Sequence, residues 1–450
     1  MVETMFKDVE AVEVVDELIS TAQKAQQIYA GFSQKQVDHL VAVVSQKLGE
    51  QAEKLAIQAH EETGFGNVKD KIIKNTFASE HVYNSIKDIP TVGEIKRDDI
   101  NQIIEIGIPM GIVVGLIPST NPTSTVIFKA LLALKSRNAI IFSPHPKALK
   151  AIMMTVEMIE KAIVAEGAPA GLIQVIKKPT LEATQYLMQH DKAALILATG
   201  GGAMVKAAYQ SGTPAIGVGQ GNAPTYIEKT ANVKEAVAAI IESKTFDYGT
   251  ICASEQSLVV DKEICKDVIK ALEDKKAYFL SAEEAQKVGA IIMLENGGMN
   301  PAIVGKPAVF VAKLSGIEVP EDTSVLIAKQ TNIGKEYPFS REKLTPVLGF
   351  YTVETWEEGM TTCNALLANE GAGHTAILHT QSDERVLDYG LQITASRVLI
   401  NTLGALGAIG FTTKLAPSLT LGCGAIGGSS TTDNVSVLNL LNIKRIAYGV

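Results

Sequence analysis

Continuous apolar runs that alternate with helix-period segments over residues 111–218 constrain the fold more than any other feature of the sequence. The runs include GIVVGLIP, NAIIFSP and AALILATG, and each is followed by apolar residues at helical spacing. Strands without polar alternation are apolar on both faces, as in parallel sheets that helices cover on both sides. The pattern therefore predicts a doubly wound nucleotide-binding α/β sheet, with ligands at the carboxyl ends of its strands.

The same alternation starts again over residues 222–401. Its apolar runs are APTYIEKT, SLVVD, SVLIAKQ, LTPVLGFYTV, TAILHT and SRVLIN. A chain of 450 residues is too long for one ordinary hydrophobic core, so two or three domains are expected. We therefore predict a second α/β domain.

Two smaller elements are predicted from the first 111 residues. Residues 10–86 carry apolar positions at helical spacing with breaks near Gly31 and Gly64, which indicates three or four helices in series. In residues 90–111, two short alternating runs meet at Arg97–Asp99, as in a β-hairpin. Such a hairpin cannot bury both faces alone, so we expect it to pair with another subunit.

Charge and cysteine spacing exclude several classes of protein. A net charge of −8 does not provide the basic face that a nucleic-acid partner needs. No apolar run reaches the ~20 residues of a membrane span, and the acidic N-terminal residues do not resemble a secretion signal. Neither the histidines nor the cysteines have the spacing of a metal site; the cysteines are Cys252, Cys265, Cys363 and Cys423. We expect a cytoplasmic enzyme with free thiols and no metal.

The stretch TFDYGTICASEQS places Cys252 among small polar residues, directly before the predicted strand SLVVD. A loop that leads into a strand can hold a nucleophile rigidly and still expose it. The alternative is an inert buried thiol, which is common in cytosolic proteins. The nucleophile hypothesis therefore depends on what the other loops supply.

Four other loops offer groups that a nucleotide-dependent thiol enzyme needs. In PSTNPT, Asn121 could direct its amide at developing negative charge, or Ser119 or Asn121 could simply cap the next helix. The TGGG loop at Thr199 could bring backbone N–H groups to a pyrophosphate, although it lacks GxGxxG spacing. The GVGQGN turn contains no acid and could equally be a flexible link. Glu342 in EKLTPV could accept hydrogen bonds from ribose hydroxyls, or it could be an ordinary surface residue.

In combination these motifs resemble the aldehyde dehydrogenase superfamily, and most closely its CoA-acylating branch. That branch occurs as stand-alone enzymes and as the N-terminal half of bifunctional aldehyde-alcohol dehydrogenases. The resemblance covers nearly the whole chain and rests on IPSTNPT, IIFSPHPKA, ATGGGAMVKAAY, GTICASEQS and EKLTPVLGFY. It implies a Rossmann-type cofactor domain, a second α/β catalytic domain and a small oligomerisation hairpin.

The resemblance also implies domain limits and site residues. The cofactor-binding domain would comprise residues 1–88 and 104–221, the catalytic domain 222–429, and the oligomerisation segments 89–103 and 430–450 of a homodimer or homotetramer. Cys252 would be the catalytic thiol and Asn121 the oxyanion amide. His374 could be a base for Cys252 or CoA, or could make a structural hydrogen bond. The implied cofactor-binding residues are Pro118, Ser119, Ser143, His145, Thr199, Gly200, Gly201, Gly219 and Glu342.

Two departures from the hydrolytic relatives are informative. Those relatives carry an acid in the turn before the second domain, where this chain has VGQGNAP. A thiol acceptor is a better nucleophile than water and needs less help from a base, so we expect CoA as co-substrate. The relatives also hold the adenosine ribose with a Lys and a Glu, which Ser143 and Pro146 replace here. Since a 2′-phosphate would not be repelled, both NAD and NADP remain open.

The expected reaction is the reversible conversion of a short-chain aldehyde such as acetaldehyde, NAD(P)+ and CoA to acyl-CoA and NAD(P)H, through a thioester on Cys252. An acylating succinate-semialdehyde or sulfoacetaldehyde dehydrogenase is an alternative that needs a cation near Cys252, for which Arg397 and Lys414 are candidates. Further alternatives are a hydrolytic aldehyde dehydrogenase, a catalytically silent nucleotide-binding protein and a thiolase-like acyl transferase. The last is disfavoured because its chemistry has no use for the TGGG loop.

Overall fold

The structure is a computed structural model that describes residues 9–449. Residues 1–8 of the first predicted domain segment and residue 450 of the last lie outside the described residues. The helices are α1 (Val9–Tyr29), α2 (Gln34–Glu50), α3 (Ala52–Thr63), α4 (Val68–Thr76), α5 (Val82–Ile86), α6 (Pro122–Lys135), α7 (Leu149–Ala165), α8 (Leu181–Gln189), α9 (Gly202–Gln210), α10 (Val233–Thr245), α11 (Cys265–Asp274), α12 (Ala282–Ile292), α13 (Ala308–Leu314), α14 (Trp356–Asn369), α15 (Asp383–Gln392) and α16 (Gly404–Ala408). The strands are β1 (Gly93–Asp98), β2 (Ile103–Pro109), β3 (Ile112–Ile117), β4 (Ala139–Pro144), β5 (Ile173–Val175), β6 (Ala193–Thr199), β7 (Ala215–Val218), β8 (Ala223–Ile227), β9 (Glu255–Asp261), β10 (Ala277–Phe279), β11 (Val325–Lys329), β12 (Val347–Val353), β13 (Gly373–His379), β14 (Ala395–Ile400) and β15 (Leu441–Ala447).

The first sheet has five parallel strands in the order β5-β4-β3-β6-β7. The chain runs outward from β3 through β4 to β5 and then crosses back to β6, so the order reverses between β3 and β6. Ligands of open α/β sheets bind in the crevice outside the carboxyl ends at such a reversal. The two loops that begin there contain Asn121 and Thr199. This sheet confirms the predicted doubly wound fold.

The second sheet has seven parallel strands in the order β10-β11-β12-β9-β8-β13-β14. Its central strands β9 and β12 are neighbours, with Ser257 beside Gly349. The Cys252 loop leads into β9 and the Glu342 loop leads into β12. Both loops therefore lie at the amino ends of adjacent strands, in the second α/β unit that the sequence predicts.

The third sheet is a hairpin, β1 and β2, extended by β15. The hairpin turn lies at residues 99–102 and not at Arg97–Asp99, because Asp98 still pairs with Ile103 and its side chain accepts the backbone N–H groups of Ile100 and Asn101. Strand β2 continues to Pro109, so most of it falls on the cofactor side of the predicted 103/104 limit. Among residues 9–449, no helix has both the length and the apolar character needed to cross a membrane.

Helix α6 lies beneath the crevice, and all of its residues are buried. The Lys129 amine donates hydrogen bonds of 2.8 Å to the carbonyl oxygens of Leu116 in β3 and Leu197 in β6. Burial lowers the pKa of Lys129 well below its ordinary value, and a neutral amine has two N–H donors for these two acceptors. This residue therefore holds the carboxyl ends of β3 and β6 side by side.

Gly115 in β3 should tolerate no larger residue. A Cβ at this position would lie 2.6 Å from Cδ1 of Phe142 in the neighbouring strand β4. We expect Gly115→Ala to lower the free energy of unfolding by about 1–3 kcal/mol through overpacking, measured by urea denaturation. Gly390→Ala is the control, because a Cβ there meets no described atom within 4 Å. Equal unfolding midpoints for Gly115→Ala and wild type would contradict this account of the packing.

Candidate active site

A cavity of about 560 Å³ lies between the carboxyl-end loops of the first sheet and the amino-end loops of the second. It brings together most of the site residues predicted from the sequence. The predicted residues that line it are Pro118, Ser119, Asn121, His145, Thr199, Gly200, Gly201, Gly219, Cys252 and Glu342. Within residues 9–449, no group of three or more His, Cys, Asp or Glu side chains could hold a metal ion.

A smaller cavity of about 230 Å³ adjoins it beyond the ends of β4 and β6. The two cavities share lining residues, namely Pro118, His145, Thr199, Gly200 and Gly201. Ser143 lines this smaller cavity and is 5% exposed, with its hydroxyl 2.8 Å from the Thr184 hydroxyl. Ser143 therefore lies apart from the larger cavity, and its hydroxyl already has a partner.

The TGGG loop leads directly into helix α9, whose N-cap residue is Gly201. A Cβ on Gly201 would meet no described atom within 4 Å, and one on Gly200 would meet only the Met204 Cβ at 3.9 Å. Protein packing therefore does not require glycine at these two positions. Open space before the backbone N–H groups of a helix N-terminus is what an approaching phosphate needs, so the residues present fit a dinucleotide.

Asn121 is the N-cap residue of α6, but its side chain makes no capping hydrogen bond to any described residue of the helix. The capping interpretation is therefore wrong for this residue. Its Oδ1 accepts a hydrogen bond of 2.6 Å from Lys74 Nζ, and its Nδ2 donates to the Thr120 hydroxyl at 3.2 Å and to the Thr250 carbonyl oxygen at 3.3 Å. Because an ammonium group can only donate, this contact also establishes which amide atom is oxygen.

Cys252 is half-buried in the loop that precedes β9. Burial raises the pKa of its thiol to about 12, the negative charge of Glu342 and then that of Cys423 add to this, and Arg397 opposes it. The thiol is therefore neutral near pH 7. A nucleophilic role requires a change that stabilises the thiolate.

Glu342 is a buried wall of the cavity and not a surface residue. Its Oε1 accepts the Gly221 N–H at 2.9 Å, and Gly221 packs so closely on the nucleophile loop that a Cβ there would lie 1.9 Å from the Cys252 carbonyl oxygen. Burial raises the pKa of Glu342 to about 8, and the charge of Glu370 adds to this. The carboxyl therefore gains or loses its proton close to neutral pH.

His374 is fully buried and is not among the described residues that line either cavity. Its Nδ1 lies 2.9 Å from the Thr375 hydroxyl, and its Nε2 has no hydrogen-bond partner among the described residues. Burial lowers the pKa of His374 to about 3, with a further lowering from Arg397. The imidazole is therefore neutral, and its role as a base stays a prediction.

Neither cation proposed for a charged aldehyde is free in the cavity. Arg397 is 3% exposed, and its guanidinium donates to the side chain of Asn434 and to the carbonyl oxygens of His374, Gly422, Thr432 and Asp433. Lys414 is exposed and lies outside the cavity lining. The walls that sequence reasoning missed are mainly apolar and include Phe65, Ile251, Val304, Leu344, Ile409, Leu419 and Leu421.

Sequence reasoning also missed Lys74, a cavity residue from helix α4. It lies in the helical segment GNVKDKIIKN, where a lysine at this spacing is typical of a solvated helix face. In the structure it is 3% exposed and contacts the side chains of Asn121 and Asp247. These contacts join positions far apart in the chain, so no local pattern indicates them.

Comparison with known proteins identifies similar chains. The model of the aldehyde dehydrogenase family matches residues 6–297. The bifunctional aldehyde-alcohol dehydrogenase of Escherichia coli K12 is 46% identical over 435 residues, which are 96% of this chain and 49% of that protein. The acetylating succinate-semialdehyde dehydrogenase of Clostridium kluyveri is 37% identical over 96% of this chain and 95% of its own. The crystal structure of an acetylating aldehyde dehydrogenase from Geobacillus thermoglucosidasius superposes with a TM-score of 0.97, at 51% identity and 98% coverage of both chains.

These matches differ in how much of the relative they cover. The chain spans about half the length of the curated bifunctional relatives that it matches, and nearly the full length of the other two proteins. The structural superposition extends to both α/β units, which agrees with the fold expected from the sequence.

Glu342→Gln should accelerate alkylation of Cys252, but only in alkaline solution. The carboxyl is ionised mainly above about pH 8, and its negative charge disfavours the neighbouring thiolate. The rate of labelling by iodoacetamide, followed at Cys252 by mass spectrometry, should exceed that of wild type above pH 8 and match it at pH 6. Identical rates over the whole range would show that Glu342 does not act on the thiol.

Proposed function

This chain belongs to the aldehyde dehydrogenase family, and we propose on that premise that it is a CoA-acylating aldehyde dehydrogenase. The reaction is the reversible conversion of an aldehyde, NAD(P)+ and CoA to acyl-CoA and NAD(P)H. The observation that carries the proposal is that one cavity is lined by a cysteine thiol, an asparagine amide that does not cap its helix, and a glycine loop with open space in front of it. The acetylating relatives support the same reaction class.

The chain's own residues would carry the chemistry as follows. Cys252, once deprotonated, attacks the aldehyde carbonyl carbon, and Asn121 Nδ2 with the Cys252 backbone N–H stabilises the oxyanion. NAD(P)+, when held by the glycine loop and Glu342, would supply the hydride acceptor, and Cys252 would then carry the acyl group as a thioester. The CoA thiol then takes the acyl group and frees the cysteine. For His374, whose buried imidazole has a strongly lowered pKa, the structural hydrogen bond to Thr375 is favoured over a role as the base in this second step.

Electrostatics determine the protonation state of the thiol. Burial raises the pKa of Cys252, and an ionised Glu342 raises it further. Hydroxyl donors bound at Glu342, such as those of a ribose, would stabilise its negative charge and so would not favour the thiolate. Deprotonation of the thiol would therefore need a positive charge or a hydrogen-bond donor close to the sulfur.

The smaller cavity is the proposed site of the adenosine ribose. Among the described residues that line it, none is acidic, and Ser143 and Pro146 are among them. A 2′-phosphate would therefore meet no carboxylate repulsion there, and we propose that NAD and NADP are both acceptable. Gly200 and Gly201 would receive the pyrophosphate.

The proposed substrate is a short, uncharged aldehyde such as acetaldehyde or propionaldehyde. The surface of the cavity is mainly apolar, and Lys74, which also lines it, is already bound to Asp247. Lys147 belongs to the loop after β4, which is the proposed cofactor end. A carboxylate or sulfonate on the aldehyde would thus be buried beside Cys252 without a free cation, which disfavours succinic semialdehyde and sulfoacetaldehyde.

The domain limits and the assembly remain part of the proposal. Residues 1–88 and 104–221 would bind the cofactor, and residues 222–429 would carry the catalytic thiol. The three-stranded sheet of β1, β2 and β15 would pair with another copy in a cytoplasmic homodimer or homotetramer. Two apolar side chains of this region are exposed, Ile446 in β15 and Ile100 in the turn between β1 and β2.

A hydrolytic aldehyde dehydrogenase is the second candidate, since Glu342 is an acid that lines the cavity and has a pKa near 8. A carboxylate in this range could activate water.

Dependence on CoA separates the two candidates. With acetaldehyde and NAD+, we expect acyl-CoA to form and turnover to stop after about one equivalent per site when CoA is omitted, because the acyl group stays on Cys252. Chromatography of the products and absorbance of NADH measure this. Cys252→Ser should abolish turnover and keep cofactor binding. Full-rate formation of free acid without CoA would favour the hydrolytic candidate.

A panel of aldehydes tests the substrate class. Burial of an unpaired anionic group costs several kcal/mol, so kcat/KM for propionaldehyde should exceed that for succinic semialdehyde by at least ~10²-fold. Both assays would contain the same CoA and NAD+ concentrations. A preference for the charged aldehyde would mean that a cation reaches the cavity when substrate binds.

A further inference from the structure

Lys74 lies at the centre of a buried polar cluster that connects the proposed oxyanion amide to the nucleophile loop. Its ammonium group donates to Asn121 Oδ1 at 2.6 Å, to Asp247 Oδ2 at 2.5 Å and to the Thr250 hydroxyl at 2.8 Å. The three N–H donors of the ammonium group therefore have one acceptor each. With 3% exposure, the side chain has little freedom to make other contacts.

Asp247, which orients Lys74, is itself held from several sides. Its carboxylate is fully buried and also accepts hydrogen bonds from Lys71 Nζ at 3.0 Å and from the Asn67 backbone N–H at 2.8 Å. Gly66 has no side chain at a position where a Cβ would lie 1.8 Å from Asp247 Oδ1. These contacts hold the Asp247 carboxylate in its observed position.

The backbone at Asp247 is strained. Asp247 and the following Tyr248 have φ angles of 46° and 52°, in the left-handed region. A residue other than glycine loses roughly 1–2 kcal/mol in this region, and such strain persists only where the surrounding structure enforces it. Strain of this kind five residues before Cys252 indicates that the position of the carboxylate matters to the site.

We propose that Lys74, held by Asp247, is a positioning residue that orients the Asn121 amide toward the oxyanion. The inference rests on the proposed function. With Oδ1 held by the ammonium group, Nδ2 must face the Thr250 side of the cavity, where Cys252 follows two residues later. Without that contact the amide can rotate by half a turn and present its oxygen, which would repel an oxyanion. The adjacent positive charge also polarises the amide and strengthens Nδ2 as a donor.

The alternative is that Lys74 only ties helix α4 to the nucleophile loop. Lys71 provides a matched control for this alternative. It lies one turn earlier on α4, has the same 3% exposure and binds the same Asp247 oxygen, but its second contact is the Thr120 carbonyl oxygen at 3.1 Å. Loss of either lysine weakens the contact between α4 and the nucleophile loop, whereas only loss of Lys74 removes the hydrogen bond that holds the Asn121 amide. Because Lys71 still pairs with Asp247, Lys74→Met should fold.

The test compares steady-state kinetics of Lys74→Met, Lys71→Met, Asn121→Ala and the double variant Lys74→Met/Asn121→Ala. We expect Asn121→Ala to lower kcat by about 10²-fold, and Lys74→Met to lower it by about 10- to 100-fold with KM nearly unchanged. Lys71→Met should stay within about threefold of wild type. The double variant should be no more than about threefold slower than Asn121→Ala, because Lys74 acts through an amide that is already absent.

The outcomes separate this proposal from the proposed function. An unaffected kcat for Asn121→Ala would reject the oxyanion role and with it the premise. Three other outcomes would overturn the positioning role alone. These are a low kcat for Asn121→Ala with a normal kcat for Lys74→Met, an equal loss of kcat in the two lysine variants, and a loss in the double variant that equals the product of the two single losses. If a thermal melt shows that Lys74→Met is not folded, Lys74→Gln replaces it, because its side chain stays polar. We expect the same loss of kcat for that variant.

Discussion

The buried carboxylate of Asp247 joins the two α/β units at the site, and the geometry of the site depends on it. It accepts hydrogen bonds from two lysines of α4, which belongs to the first unit, and it precedes the Cys252 loop of the second. A carboxylate buried without a partner would be strongly destabilising, whereas two ammonium groups, one backbone N–H and the Thr250 hydroxyl compensate this one. These contacts fix the relative positions of the thiol loop and the Asn121 amide, and fixed donors of this kind are what the proposed oxyanion stabilisation requires.

Low polarity around the cavity determines how its charged groups behave. Burial raises the pKa of Cys252 to about 12 and that of Glu342 to about 8, so both groups are mainly protonated at neutral pH. A resting thiol in this state is protected from oxidation and stray alkylation, since the thiolate is the reactive form. Ligands that donate hydrogen bonds at Glu342 or Asn121 change this balance more strongly than they could in water.

The sequence was sufficient for features that local patterns specify. Continuous apolar runs predicted the parallel strands, and Cys252 and the TGGG loop lie at strand ends as expected. Features that depend on contacts between distant segments could not be predicted. The hairpin turn lies later than predicted because the Asp98 side chain accepts the backbone N–H groups of Ile100 and Asn101. The guanidinium of Arg397 donates its hydrogen bonds to carbonyl oxygens of the C-terminal loops. Lys74 is separated from Asp247 by 173 positions, and the burial of His374 depends on packing between strands.

In the proposed mechanism, an acyl group resides on Cys252 and passes between this sulfur and a thiol acceptor. The most direct measurement is peptide mass spectrometry after the protein is incubated with acetyl-CoA and denatured in acid. We expect an acetyl group on the peptide that contains Cys252, its loss when CoA is added in excess, and none in Cys252→Ser. Acetylation at another residue, or no acetylated peptide while acyl-CoA is still turned over, would rule out the cysteine thioester.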